Sequence, residues 1–192
     1  VMSGLLALST IVTGAIPMLS TAKASEGVYT VENVSDRISY SEAFGGIDNS
    51  MDDWGTNIFT VSDPDGDTYW GVCASPNLAT PTNGTDYYTW DEYTNDTVAR
   101  VLYWSLGNGW DDENYGVLRD YSEDIRTIIA HHTVALALGN DDWNTMANGA
   151  QALGDESKIG FQLCMKLLNV AANISTGDWD CKVIHIKDPD HN

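Results

Sequence analysis

The alternation of apolar and polar positions changes its period along the chain, and each change marks an element. Val28, Thr30 and Glu32 alternate with Tyr29, Val31 and Asn33, and Ile38 and Tyr40 resume the pattern. A period of two over this length predicts extended structure from Val28 to Tyr40. A polar loop with Gly45-Gly46, Asp48-Asn49 and Asp52-Asp53 interrupts it, and the stretch from Trp54 returns to a strand at Ile58-Phe59-Thr60-Val61. Asp63-Pro64-Asp65-Gly66-Asp67 is a turn, and Thr68 to Cys73 reads as the strand after it. The two runs predict a β-hairpin with a five-residue loop.

Beyond Cys73 the rhythm lapses. Ala74 to Trp90, with Pro76, Pro81 and Asn83-Gly84, reads as irregular. The period then becomes helical. Val98, Val101, Leu102 and Ser105 form one stripe, with Asn95 or Asp96 as N-cap and Gly107 just past the end. A second helix is predicted to begin at Asp120, with Glu123 three residues on as a capping-box variant. Its stripe is Ile125, Ile128, Ile129, His132, Ala135 and Leu136, and it stops at Gly139. His131 lies beside that stripe, on the side of Ile128, Ala135 and Leu138. A weaker helix is read over Trp143 to Leu153. A further one starts after Asp155 and carries Ile159, Leu163, Leu167, Val170 and Ile174 on one face. Cys181 to Ile186 closes the chain as a strand. Strands, then helices, then one more strand predict an α+β fold: an antiparallel β-sandwich or barrel-like sheet with an inserted helical subdomain.

The N-terminus follows none of these periods. Val1 to Leu19 is nearly uncharged, Gly14 and Pro17 break any helix, and Ala22-Lys23-Ala24 has small residues where signal peptidase reads. Residues 1–24 are therefore expected to be a secretory signal peptide whose basic n-region is truncated. A retained membrane anchor fits Pro17 and the Ala-Lys-Ala triplet less well. Residues 25–192 are then one domain's length of chain, long enough to bury a core.

Charge narrows the function classes. The formal net charge is -19. Counterion release needs Lys and Arg, so nucleic acid is excluded as a partner, and docking on anionic lipid is disfavoured. Such a surface suits an exported protein that stays soluble outside the cell. Export permits disulfides, and the three cysteines are Cys73, Cys164 and Cys181. If Cys164 pairs with Cys181, Cys73 is left over; three reduced, buried cysteines are the alternative.

Several chemistries are open to Cys73. A thiol beside an imidazole invites a Cys-His hydrolase or acyltransferase, although Ala74-Ser75-Pro76 does not start a helix as such nucleophiles usually require. A small buried hydrophobe is the plain alternative. No metal site is expected: His131 and His132 diverge by ~100° on a helix, and His185 and His191 are far along the chain. No cofactor is called for either. Asp63, Asp65 and Asp67 imitate the start of a calcium loop, but the glycine comes early and Ala74 stands where a bidentate Glu belongs. A plain turn fits better.

Trp70-Gly71-Val72-Cys73-Ala74-Ser75-Pro76, the later Thr80-Pro81, and Asn95 to Trp104 resemble the thioester domain of Gram-positive surface adhesins. In that family an aromatic strand leads into a cysteine and a proline-bearing loop. A later helix carries a Thr-Gln or Thr-His pair, a place taken here by Ala130-His131-His132-Thr133-Val134-Ala135-Leu136. Lys182 to Ile186 resembles the last strand of the family. The resemblance implies a secreted or wall-anchored cell-surface adhesin module, monomeric and part of a longer chain, that attaches to an amine-bearing host or surface protein. It implies attachment rather than enzymatic turnover. Members with the full pattern form an internal thioester between the cysteine and a glutamine. His131 occupies that glutamine's position and cannot donate an acyl group. The only glutamines are Gln151 and Gln162, and neither has the family's surroundings. The expected arrangement is Cys73 facing His131 without a Cys-Gln thioester. A Cys-His enzyme, and a structural or carbohydrate-binding module using exposed Trp and Asp, remain the rival readings.

Overall fold

The computed structural model describes residues 4–8, 11–15, 27–44, 55–73, 81–93, 96–139, 158–176 and 182–187. The polar loop at 45–54, the expected cleavage site Ala22-Lys23-Ala24, the loop from Ala74, the helix read over 143–153 and Cys181 lie outside the described residues. The chain divides into two compact units, residues 1–36, 57–99 and 177–192 against residues 37–56 and 100–176. It is a mixed α+β structure.

The first unit holds a mostly antiparallel sheet of eight strands. They are β1 (Gly4–Leu8), β2 (Ile11–Ala15), β3 (Tyr29–Glu32), β6 (Phe59–Ser62), β7 (Thr68–Cys73), β8 (Asp86–Tyr87), β9 (Thr89–Tyr93) and β10 (Lys182–Lys187). Their order across the sheet is β8-β3-β6-β7-β1-β2-β10-β9. The predicted hairpin is present: β6 and β7 pair antiparallel from Phe59↔Gly71 to Ser62↔Thr68. Two further strands, β8 and β9, occupy part of the stretch read as irregular. The segments 4–8 and 11–15 run as strands within the sheet, with β1 parallel to both β7 and β10.

Registers show how one face of this sheet is buried. Val31 lies opposite Val61, Val61 opposite Tyr69, Phe59 opposite Gly71 and Tyr29 opposite Tyr87. Directly opposed residues share a face. Tyr29, Val31, Phe59, Val61 and Tyr87 accordingly form one buried cluster, with Val34 and Tyr69 packed against it. Gly71 is required here, because a β-carbon on it would enter the Phe59 ring.

The β6–β7 turn is organised by one carboxylate. Asp63 Oδ1 accepts from the backbone N–H groups of Asp65 and Asp67 at 3.0 and 2.8 Å. Its Oδ2 accepts from the Tyr69 hydroxyl at 2.9 Å. Both oxygens are engaged in shaping the turn, as an Asx-type turn requires.

The second unit is mainly helical. Ile38–Ser39 (β4) pairs antiparallel with Gly55–Thr56 (β5). Between them sits α1 (Tyr40–Ala43), its N-cap Ser39 accepting from Glu42 N at 3.5 Å. This turn of helix begins at Tyr40, where the predicted extended stretch ends, and is not among the predicted elements. Four residues are too few for a helical period to show. α2 (Asp96–Ser105) begins in the first unit and ends in the second. α3 (Glu123–Ala137) and α4 (Ile159–Asn173) pack on each other, and α3 also touches α1 and β5.

The start of α3 differs from the expectation. The cap is Ser122, whose hydroxyl accepts from Ile125 N at 3.4 Å, not Asp120. Glu123 and Asp124 then fall in the first turn, where negative charge meets the helix dipole favourably. Gly139, at φ +75, follows the end as predicted. Every residue from Thr127 to Leu136 is buried. A helix buried all round has no solvent face, so the distinction between on-stripe His132 and off-stripe His131 disappears.

Candidate functional site

Cys73 ends β7 and is half-buried. Side chains alternate along a strand, so Cys73 shares its face with Gly71 and Tyr69, and Trp70 and Val72 point the other way. That face is the buried face carrying Phe59 and Val61. On the thiol's side of the sheet the aromatic rings of β6 and β7 are Phe59 and Tyr69, with Tyr29 and Tyr87 further along the same face. Trp70, the conspicuous aromatic of the motif, lies on the opposite face.

His131 belongs to the second unit, at the middle of α3, and is 2% exposed. Its Nδ1 is 3.0 Å from Thr56 Oγ1, a contact that spans 75 residues of sequence. Thr56 is 3% exposed. β5 presents it, and β4 holds β5 in place through the pairs Ile38↔Thr56 and Ser39↔Gly55. Burial pushes the His131 imidazole down to about 3, because the charged form loses its hydration. His131 is neutral at physiological pH.

His132 is fully buried beside it. Burial, with a smaller contribution from His131, holds it well below the ordinary histidine range. Its ring stacks on Tyr40, with centroids 5.3 Å apart and planes 11° from parallel. Tyr40 is itself completely buried, tilted against Phe44 and Phe161 at 4.9 and 6.5 Å. The space for its hydroxyl exists because residue 160 is glycine: a β-carbon there would overlap the phenol oxygen. α1, α3 and the first turn of α4 are thus fitted around two neutral imidazoles.

The predicted pair is therefore placed as follows. Cys73 stands at a strand end on the core face of the first unit. His131 stands in the interior of the second. Thr56 and Tyr40, which contact the two histidines, were not among the sequence candidates. Thr56 sits two residues before the apolar run from Ile58, and nothing in its own neighbourhood announces a partner 75 residues away. Cys164 is buried on α4, its Sγ 4.0 Å from Ile129 O, and the Cys164–Cys181 pairing lies outside the described residues. His185 is on β10, and His191 is not described.

Two other places were candidates for ligands. Trp110 lies under the Arg126 guanidinium, 3.7 Å from its carbon, which shields the indole face. An open cleft of about 290 Å³ is lined by Asp112, Glu113, Tyr115, Arg119, Asp120 and Val170, among others. Asp112 Oδ1 there accepts from Asn114 N and Tyr115 N at 2.8 and 2.9 Å, so it serves the local turn. Tyr88 and Tyr115 are the exposed large aromatics among the described residues. They belong to different units. No group of three His, Cys, Asp or Glu among the described residues is placed to hold a metal ion. No described helix is long and apolar enough to cross a membrane.

No protein-family model, no curated protein and no solved structure matches this chain.

Proposed function

We propose that the chain is an extracellular attachment module of the thioester-domain type, in which His131 replaces the acyl-donating glutamine and Cys73 is its sulfur partner. Surface attachment, wall anchorage and an amine-bearing host or surface partner come from the resemblance alone. Export with a cleaved signal comes from the reading of residues 1–24, and cleavage after Ala24 would take β1 and β2 out of the sheet, where they lie between β7 and β10. The barrel-like reading of the sheet is supported by its two edge strands, β8 and β9, which are separated in the chain only by Tyr88.

The observation that carries the chemical part is the burial of His131 against Thr56. A thiol protease or acyltransferase relies on an imidazolium to stabilise its thiolate. An imidazole that protonates only near 3 cannot supply that charge at neutral pH. A neutral ring can still act as a fixed hydrogen-bonding group toward a thiol. That favours a non-hydrolytic module over the Cys-His enzyme.

Two measurements test this. Intact mass of the purified chain should equal the calculated value, with no methylamine adduct; a mass short by one ammonia that methylamine restores as an adduct would restore the thioester. Partnership of the two residues is tested by a His131→Cys variant treated with a short thiol crosslinker. Peptide mapping should recover residues 73 and 131 joined. A folded variant in which the two never join would sink the proposed pairing.

A further inference from the structure

We infer that Thr56 is the positioning residue of His131: its hydroxyl donates to Nδ1, which holds the ring as the tautomer with the proton on Nε2. The inference concerns the same site and rests on the proposed function for the use of that N–H, though not for its existence.

A threonine hydroxyl has one hydrogen to donate, and a neutral imidazole has one N–H and one lone pair. A single bond between them therefore runs in one of two directions. Either Thr56 donates to Nδ1, or Nδ1–H donates to Oγ1. Among the described residues Nδ1 is the only hydrogen-bond partner of Oγ1. Thr56 is 3% exposed, so solvent does not offer a second acceptor. If Nδ1–H were the donor, the hydroxyl hydrogen would be buried with nothing to receive it. Leaving a buried donor unmade is costly, and that direction would leave the Nε2 lone pair unmet among the described residues as well. The other satisfies both the hydroxyl hydrogen and Nδ1 and leaves one donor, Nε2–H, for another group. The hydroxyl therefore donates, Nδ1 accepts, and Nε2 carries the ring proton.

Chemical character follows from the tautomer. In the resting state Nε2 is a donor and has no lone pair with which to take a proton. His131 can hold a sulfur or a carbonyl oxygen by donating to it. It cannot deprotonate a thiol through Nε2. Strand β5 is thus more than a short edge: it selects which face of acid–base chemistry the histidine shows. A second-sphere hydrogen bond fixing an imidazole tautomer is a general device.

The test is nitrogen-15 NMR of the ring nitrogens in the full chain, with the His131 signals assigned by their loss in His131→Gln. The wild type should show Nε2 protonated and Nδ1 unprotonated. Thr56→Ser keeps the hydroxyl and should keep this pattern. Thr56→Val removes it and should shift His131 to the other tautomer or to a mixture. A wild type with the proton on Nδ1 would overturn the inference, as would a folded Thr56→Val with an unchanged pattern. If Thr56→Val does not fold, the wild-type and Thr56→Ser spectra still decide. Failure of the crosslink between residues 73 and 131 would leave these spectra unaffected, so the two ideas fail separately.

Discussion

The imidazole of His132 and the ring of Tyr40 lie face to face, 5.3 Å apart and 11° from parallel, with neither exposed to solvent. Tyr40 is thereby held between α3 and the glycine turn of α4. Stacking of this kind adds roughly 0.5–1.5 kcal/mol to the burial of the rings.

Gly160 is the weak point of that arrangement. A methyl group at residue 160 would meet the Tyr40 hydroxyl. Gly160→Ala should lower stability by about 1–3 kcal/mol, the usual range for overpacking a core. Urea denaturation measures it. Tyr40→Phe in the same chain removes the colliding oxygen and should return part of the loss, a coupling that a double-mutant cycle resolves. An unchanged urea midpoint in Gly160→Ala would mean that the contact is not as drawn.

Acid should find the histidine pair. The folded value of His131 is about 3, against 6.5 for the exposed side chain, and His132 is shifted in the same direction. Between these values the unfolded chain binds protons that the folded chain refuses. Stability is therefore complete above about pH 6.5 and falls as pH drops, by about 1.4 kcal/mol per pH unit for each histidine. Denaturant midpoints taken from pH 7.5 to 4.5 should trace this slope. His132→Phe keeps a ring on Tyr40 and removes one titrating group, so its slope should be shallower by one proton. An identical slope would place the acid sensitivity elsewhere.

Cys73 should behave as an unactivated thiol. Iodoacetamide at neutral pH is expected to modify it at the rate of an ordinary, half-buried cysteine, and His131→Ala should not abolish that labelling. Rapid labelling that His131→Ala abolishes would instead establish an activated Cys-His pair.

The β6–β7 turn gives a test far from the histidines. Asp63 accepts three hydrogen bonds, two from backbone and one from Tyr69. Asp63→Ala should cost roughly 1.5–3 kcal/mol, the scale of losing hydrogen bonds to a charged group. Tyr69 provides a local reporter. Burial, then the bond to Asp63 and its charge, raise the phenol above its ordinary value. In Asp63→Ala its absorbance titration should move to lower pH. Added calcium should not shift the melting temperature, since both Asp63 oxygens already serve the turn.

Legibility followed period and length. The β6–β7 hairpin and the helices α2, α3 and α4 repeat their pattern often enough to be read. The closing strand β10 was readable from its run of β-branched residues. β8 and β9 were not: β8 has two residues, and β9 (Thr-Trp-Asp-Glu-Tyr) mixes charge with aromatics among turn residues. α1 was too short to show a helical period. Asp120 and Ser122 both suit an N-cap, and only Ser122 meets the N–H of Ile125. At the candidate site, Cys73 and His131 drew notice by residue type. Which side of the strand the thiol faces needed the cross-strand register. Thr56 needed the fold itself, because its contact with His131 is made by chain segments far apart in sequence.

The ladder between β9 and β10 joins Thr89 to Lys187 and Tyr93 to Val183, so its partners are some ninety to a hundred residues apart. Closing so long a loop is an entropic cost met before any of the pairing is gained, and such contacts form late. β9 therefore waits with an unpaired edge until β10, about ninety residues further on, has been synthesised. Loss of the last dozen residues would remove β10 and strand its neighbours, although no candidate site residue would be touched. The timing of this sheet's completion is set by β10.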